Sequence, residues 1–97
     1  MPAYVMVTIE VTDAVAYEDY KKAGAAAIAR HGGRYLVRGG RTRVVEGEFP
    51  GSRFVLLEFP DYATAEGFVA SEEYVAAKAL RAEAAVMSMV ILEGYVP

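Results

Sequence analysis

A glycine-rich turn carries the two side chains best suited to proton transfer or anion binding, His31 and Arg38. His31 is the only histidine of the chain, and an imidazole changes charge near neutral pH, so it is a candidate for acid–base catalysis. Arg38 precedes two glycines that let a ligand approach, and its guanidinium can bind a carboxylate or enolate through paired hydrogen bonds. Each has a structural alternative. His31 can cap the preceding helix, and Arg38 can form an ion pair with Glu58 or Glu93.

A second group of candidates lies on the predicted helices. Tyr74, Lys78 and Arg81 recur at helical spacing, so they share one face and can line the mouth of a cleft that attracts an anion. Their stems can equally cover the core while their polar heads stay in water. Tyr17 and Tyr20 can offer hydroxyls to a pocket between helix and sheet, or simply pack there. The candidate substrate-binding set is Arg38, Tyr20, Tyr74, Lys78 and Glu58.

Several kinds of site are not predicted. The chain has no cysteine, and the spacing of its acidic residues and His31 matches no metal-ligand motif. The first glycine pair follows a helix instead of opening one, so it is not a phosphate-binding loop. The formal charge of −3 argues against nucleic acid or anionic membranes as partners. We therefore expect no metal, no cofactor, no nucleic acid and no membrane.

The length and composition indicate one domain over residues 1–97. No apolar run approaches the ~20 residues of a membrane-spanning helix, and the N-terminus does not resemble a signal peptide. The expected location is the cytoplasm. The hydrophobic share of 55% is high for so small a domain, which suggests a surface that a monomer cannot bury.

The elements that position these residues follow from hydrophobic periodicity and capping residues. Strands are predicted over Ala3–Val11, Arg34–Val37, Phe54–Phe59 and Val86–Tyr95, a further strand or ribbon over Arg41–Glu48, and helices after Asp13, Asp61 and Ser71. The first helix ends at Gly32-Gly33. This order predicts a ferredoxin-like split βαβ fold of the α+β class. Its four-stranded antiparallel sheet has two main helices on one face, with a short extra helical segment.

The strands are apolar on both faces, which predicts a homodimer formed through the uncovered sheet face. If Val5, Val55, Val90 and Leu92 face the helices, the other face carries a second apolar set: Tyr4, Met6, Phe54, Leu56, Met87, Met89 and Ile91. A two-fold symmetric partner is the simplest cover for such a patch. A lipid-like ligand is the alternative.

The motifs Gly32-Gly33-Arg34-Tyr35-Leu36-Val37-Arg38-Gly39-Gly40, Glu58-Phe59-Pro60 and Ser71-Glu72-Glu73-Tyr74 resemble those of the domain of unknown function family DUF1330. The resemblance covers nearly the whole chain. It implies the dimeric α+β barrel arrangement, in which two ferredoxin-like subunits pack sheet to sheet. It implies no particular activity, because relatives of this fold include small monooxygenases, stress-responsive proteins and isomerase-like enzymes.

Two functions fit these expectations. The first is a cofactor-independent enzyme acting on a small apolar or aromatic anion, with Arg38 orienting the anion and His31 or a carboxylate moving a proton. The second is a non-catalytic, stress-associated or ligand-binding dimer that uses the same pocket without turnover.

Overall fold

One four-stranded antiparallel sheet and three helices form the two layers of the molecule. The computed structural model describes residues 1–97. The elements are β1 (Ala3–Val11), α1 (Ala14–Arg30), β2 (Arg34–Arg38), β3 (Arg53–Phe59), α2 (Tyr62–Ala70), α3 (Glu72–Ala79) and β4 (Ala85–Glu93). The strand order is β2-β3-β1-β4. This confirms the predicted ferredoxin-like α+β fold, including its short additional helix.

The helices begin at the capping residues that the sequence predicts. The Asp13 carboxylate accepts hydrogen bonds from the amides of the first turn of α1, Asp61 accepts from the Thr64 amide at 2.7 Å, and the Ser71 hydroxyl accepts from the Tyr74 amide at 3.1 Å. Each bond satisfies a helix-terminal N–H that has no partner within the helix. At its other end, α1 stops before Gly32, whose φ of 78° is a left-handed conformation that glycine adopts without a steric penalty.

The core lies between the sheet and the helices. Alternate residues of β1 and β3 are buried on this side, as a period of two requires. The largest fully buried side chains are Phe59, Phe68, Ile9, Leu57 and Val5. The rings of Phe59 and Phe68 have centroids 5.0 Å apart and join β3 to α2. The helices thus cover only one sheet face.

The predicted orientation of β4 is wrong. Met87, Met89 and Ile91 pack against the core, whereas Val90 and Leu92 are exposed on the open face. Both faces of this strand are apolar, so its own pattern does not determine which face turns inward. The pairing with β1 decides, because each residue shares a face with its cross-strand neighbour and Met89 pairs with the buried Val7.

The predicted strand or ribbon over Arg41–Glu48 is also wrong for the single chain. This stretch is irregular, and residues 41–50 are all exposed. The last strand ends at Glu93, two residues before the predicted end, and β3 begins at Arg53.

The face of the sheet opposite the helices is apolar and uncovered in the single chain. Its members are Tyr4, Met6, Val37, Phe54, Leu56, Val90 and Leu92, which occupy paired positions on all four strands. We call this surface the open face. None of the helices is long and apolar enough to cross a membrane.

Candidate functional site

A narrow cleft between α1 and the covered side of the sheet is the candidate site. It is lined mostly by apolar side chains from both layers, with Tyr17, Tyr20, Tyr35, Arg38 and Arg53 as its main polar groups. The cleft holds about 450 Å³ of atom-free space including its open mouth, but a water-sized sphere can occupy only about 40 Å³ of it. That interior is room for a few waters or one small polar group.

Three tyrosines form a connected group from the cleft into the core. Tyr17 and Tyr20 lie one turn apart on α1 with ring centroids 5.4 Å apart, and the hydroxyl oxygens of Tyr20 and Tyr74 are separated by 3.2 Å. The Tyr20 hydroxyl also donates to Met87 Sδ at 3.8 Å. Helical spacing therefore places two phenols where α1 faces the sheet, and α3 supplies the third.

The phenols stay protonated at physiological pH. Burial raises the pKa of Tyr20 far above its ordinary value, and the hydrogen bond with Tyr74 adds to the effect. Burial also raises the pKa of Tyr17, although the Arg53 guanidinium opposes that change. For Tyr35, burial raises the pKa while Arg38 and Arg53 oppose it. The hydroxyls of Tyr17, Tyr20 and Tyr35 can therefore act as neutral hydrogen-bond donors.

Arg38 reaches the cleft because β2 contains a bulge. The strand pairing with β3 shifts between Tyr35 and Val37, leaving Leu36 as the extra residue. Arg38 then pairs with the buried Val55 and so lies on the helix-facing side. Its guanidinium lies over the Tyr35 ring, with Cζ 4.3 Å from the ring centroid, a cation–π contact.

Arg53 is the second cation of the cleft. Its guanidinium packs against Gly39, where a β-carbon would overlap it, and Gly39 itself has a positive φ of 67°. The Nε of Arg53 is buried and has no hydrogen-bond partner. Neither Arg53 nor Arg38 lies within 4.0 Å of a carboxylate oxygen. Lys21 also lines the cleft, but it pairs with Glu18 at 2.9 Å.

The structure places Glu58 away from the cleft. Glu58 Oε1 accepts hydrogen bonds from Arg34 Nε and Nη2, each at 2.7 Å, on the opposite side of the sheet. The alternative explanation of Arg38, an ion pair with Glu58 or Glu93, is therefore not what the structure shows.

His31 likewise lies outside the cleft lining. Its Nε2 is 3.3 Å from Glu73 Oε2, and Glu73 Oε1 is 3.4 Å from Arg30 Nε. A backbone hydrogen bond, and then the contact with His31, lower the pKa of Glu73. This cluster joins the end of α1 to the start of α3, a side-chain contact that neither the catalytic nor the helix-capping interpretation of His31 predicted.

Of the predicted helical stripe, only one member reaches the cleft. Tyr74 is buried and lines it, whereas Lys78 is exposed on α3. The Arg81 Cζ lies 5.5 Å from the centroid of the Tyr20 ring. No group of three or more His, Asp or Glu side chains is placed to hold a metal ion.

Sequence reasoning missed Arg53 and Tyr35 as cleft residues. The signal for Arg53 was its spacing, since it stands two residues before Val55 and four before Leu57 and so shares their buried face. An arginine on an inward-facing strand position is unusual enough to mark a site. Tyr35 carried no comparable signal.

The fold and the cleft define a ferredoxin-like α+β protein with a largely apolar cleft between helix and sheet, into which tyrosines and two arginines project. The model of the domain of unknown function family DUF1330 matches residues 2–95, and the chain belongs to this family, as its motifs predicted. No curated protein matches the chain.

Solved structures of similar fold cover almost the whole chain. A protein of unknown function from Rhodopseudomonas palustris is 19% identical with a TM-score of 0.75, covering 99% of this chain and 84% of that one. SnoaB, a cofactor-independent oxygenase from Streptomyces nogalater, is 13% identical with a TM-score of 0.69, covering 99% and 95%. A dimeric ferredoxin-like protein of unknown function from Jannaschia sp. CCS1 is 17% identical with a TM-score of 0.65, covering 97% and 100%. At these identities the similarity shows the fold.

Proposed function

We propose that the protein is a homodimer that binds a small organic anion with an apolar or aromatic body in the cleft between α1 and the sheet. The observation that carries this proposal is the pair Arg38 and Arg53, two cations that line an apolar cleft and have no carboxylate partner. Arg53 is the partly buried member of the pair, and a partly buried charge is costly unless a negative group compensates it. A ligand anion supplies that group.

The size of the cleft limits how such a ligand fits. The narrow interior accepts a carboxylate or a single enolate oxygen, and the apolar body lies at the mouth. Arg53 is the more buried of the two arginines and holds the anionic oxygens, while the exposed Arg38 closes over the ligand. The protonated hydroxyls of Tyr17 and Tyr35 supply further hydrogen bonds to the anion.

The test compares benzoate with its neutral isostere benzamide by isothermal titration calorimetry. Benzoate should bind at least tenfold more tightly, and Arg53→Gln and Arg38→Gln should each weaken benzoate binding about tenfold or more, the typical loss of a charge-assisted hydrogen bond. Arg41→Gln is the matched control, since Arg41 is exposed outside the cleft. Equal affinity for both probes, or full affinity in both cleft variants, contradicts the proposal.

A cofactor-independent enzyme is the second candidate. Two guanidinium groups and neutral phenols around one small cavity are suited to stabilising an enolate or phenolate, and the fold is shared with an oxygenase that needs no cofactor. In this version Arg38 and Arg53 hold the developing anion. His31 has no role in it, because the histidine contacts Glu73 and does not line the cleft.

Turnover in the presence of a candidate substrate separates the two functions. Under the enzymatic alternative, Arg53→Gln lowers kcat while His31→Ala leaves kcat unchanged. A variant His31→Ala that binds benzoate normally but loses turnover contradicts this assignment and supports the proton-transfer role that the sequence predicts for His31.

The homodimer part of the proposal is supported by the open face. Seven apolar side chains occupy one uncovered sheet surface, and the Jannaschia structure of similar fold is described as dimeric. Burial of such a patch stabilises by roughly 25 cal/mol per Å² before the cost of association. A second copy that presents the same face is the simplest partner.

A further inference from the structure

Arg81 is a third cation beside the cleft, and the proposed function leaves it without a role. It lies in the turn between α3 and β4, and its guanidinium Cζ is 5.5 Å from the centroid of the Tyr20 ring. The residue is only partly exposed, and its Nε is buried without a hydrogen-bond partner. No carboxylate oxygen lies within 4.0 Å of its guanidinium. Arg81 therefore carries a charge that no direct contact within the chain compensates.

The arginines of the chain differ in their partners according to where they lie. Arg30 and Arg34 form ion pairs with glutamates outside the cleft, and Arg41 and Arg43 are exposed in the irregular stretch between β2 and β3. The remaining three have no carboxylate partner and surround the tyrosines of the cleft: Arg38, Arg53 and Arg81. Grouped cations beside an apolar cleft raise the local concentration of anions.

Arg53 and Arg81 lie on opposite sides of the cleft. Ile9 of β1 pairs with Arg53 on one side and with Met87 of β4 on the other, so these residues form one row across the covered sheet face. The Tyr20 hydroxyl donates to Met87 Sδ, and Arg81 lies against the Tyr20 ring, which places Arg81 at the β4 end of this row. Adjacent strands are about 4.8 Å apart, so the two ends of the row are about 10 Å apart.

Tyr17 lies between the two cations. Burial raises the pKa of its phenol, and the charges of Arg53 and Arg81 both oppose that change, so both guanidinium groups are close to it. Tyr17 and Tyr20 line the cleft, whereas Arg81 does not line it. Arg81 can therefore meet only the part of a ligand that lies outside the narrow interior.

We propose that the ligand of this cleft is a small dicarboxylate, whose first carboxylate binds Arg53 and whose second binds Arg81. This assignment rests on the proposed function and names the class of its ligand. The first carboxylate enters the narrow interior, and the apolar body lies against the rings of Tyr17 and Tyr20. The second carboxylate accepts paired hydrogen bonds from the Arg81 guanidinium, including the one that its buried Nε lacks within the chain.

The test compares isophthalate and terephthalate with their monoamides by isothermal titration calorimetry at neutral pH. Each monoamide has nearly the same shape as its diacid but a neutral group in place of the second carboxylate. For at least one of the two isomers, the diacid should bind about tenfold more tightly than the monoamide, the typical effect of one charge-assisted hydrogen bond. Equal affinity within both pairs overturns the assignment. Benzoate binding that depends on Arg53 then leaves the proposed function intact.

Variants at Arg81 separate a ligand contact from a structural role. Arg81→Gln should remove the preference for the diacid and leave the affinity for the monoamide unchanged, while Arg81→Lys should keep part of the preference because it keeps the charge. Lys78→Gln is the matched control, since it removes an exposed cation near the end of α3 and should leave the preference unchanged.

Two results with Arg81→Gln contradict the assignment. If the variant weakens diacid and monoamide equally, Arg81 only supports the Tyr20 ring; if it keeps the preference, the second carboxylate binds elsewhere. A wild-type protein that binds neither benzoate nor either diacid overturns the assignment and the proposed function together.

Discussion

At the scale of single residues, the position of Arg38 depends on the bulge at Leu36. Arg34 and Arg38 are four residues apart, an even spacing that puts both on one face of a regular strand. The extra residue reverses the alternation, so Arg34 pairs with Glu58 on the open face while Arg38 faces the cleft. Because of this one extra residue, Arg34 forms an ion pair with Glu58, whereas Arg38 lies on the other side of the sheet without a carboxylate partner.

The tyrosines of the cleft make stability depend on alkaline pH. The unfolded chain releases the Tyr20 proton near the ordinary pKa of 10.0, whereas burial and the Tyr74 hydroxyl raise the pKa of the folded state above that value. The folded state therefore holds more protons above pH 10.0, and its stabilisation, complete below that pH, is lost as the pH rises further.

We therefore expect the free energy of unfolding to fall steeply above pH 10.0, and to fall less steeply in Tyr20→Phe. Urea denaturation at a series of pH values measures this slope. At neutral pH, Tyr20→Phe should cost about 1 kcal/mol, the net contribution of one hydrogen bond. Tyr95→Phe, at an 88% exposed position, controls for the loss of a phenol. An identical alkaline slope in wild type and Tyr20→Phe contradicts this account.

At the scale of elements, the connection between β2 and β3 positions Arg53. Gly39 has a positive φ, and its missing side chain leaves the space that the Arg53 guanidinium occupies. Gly39→Ala should destabilise by about 1 kcal/mol through its left-handed backbone and should also displace Arg53. The measurable consequence is benzoate binding weakened at least fivefold.

Gly47→Ala is the matched control for Gly39→Ala. Gly47 has a similar φ of 76°, but a β-carbon there meets no atom within 4 Å. Both variants should lose similar free energy of unfolding in urea denaturation, and only Gly39→Ala should lose affinity in calorimetry. Equal affinity in the two variants means that Arg53 is not held in place by Gly39.

The elements were predictable where the signal is local. Each helix start could be predicted from its N-cap residue, which is Asp13, Asp61 or Ser71. Capping needs only the side chain of that residue and the backbone amides of the next few residues. The face of β4 was not predictable in this way, since both its faces are apolar and the choice depends on pairing with β1. Its one local indication is Ser88, which pairs with Thr8 on the open face.

The site was less predictable than the fold for the same physical reason. Arg38 was identified by type and glycine context, but its face depends on a bulge that the residues around Leu36 do not reveal. Glu58 was available to Arg38 or Arg34, and only the strand register assigns it to Arg34. The partnership of His31 with Glu73 joins residues 42 positions apart, a tertiary contact without a sequence pattern.

At the scale of the whole molecule, the chain is a thin slab in which helices cover only one face of the sheet. Its extents are 40 × 37 × 17 Å, and only 18 of its 97 residues are buried. Two layers bury one side of the sheet, so the open face leaves the other half of the apolar strand residues in water. A domain of this size gains stability when that surface is covered.

Leu56 tests whether a second copy covers the open face. It lies on β3, paired with Met6 on one side and Val37 on the other, so it is central to the open face. Leu56→Lys should convert the dimer to a folded monomer, because the lysine is tolerated in water but not inside an apolar interface. Light scattering measures the mass, and circular dichroism the fold.

The melting temperature gives the same answer independently. When folding is coupled to dimerisation, the Tm of the wild type rises with protein concentration, since mass action favours the dimer. The Tm of Leu56→Lys should be lower and independent of concentration. Leu80→Lys, a substitution at an exposed leucine after α3, should keep the mass and the concentration dependence of the wild type. A Leu56→Lys protein that remains dimeric places the subunit contact elsewhere than the open face.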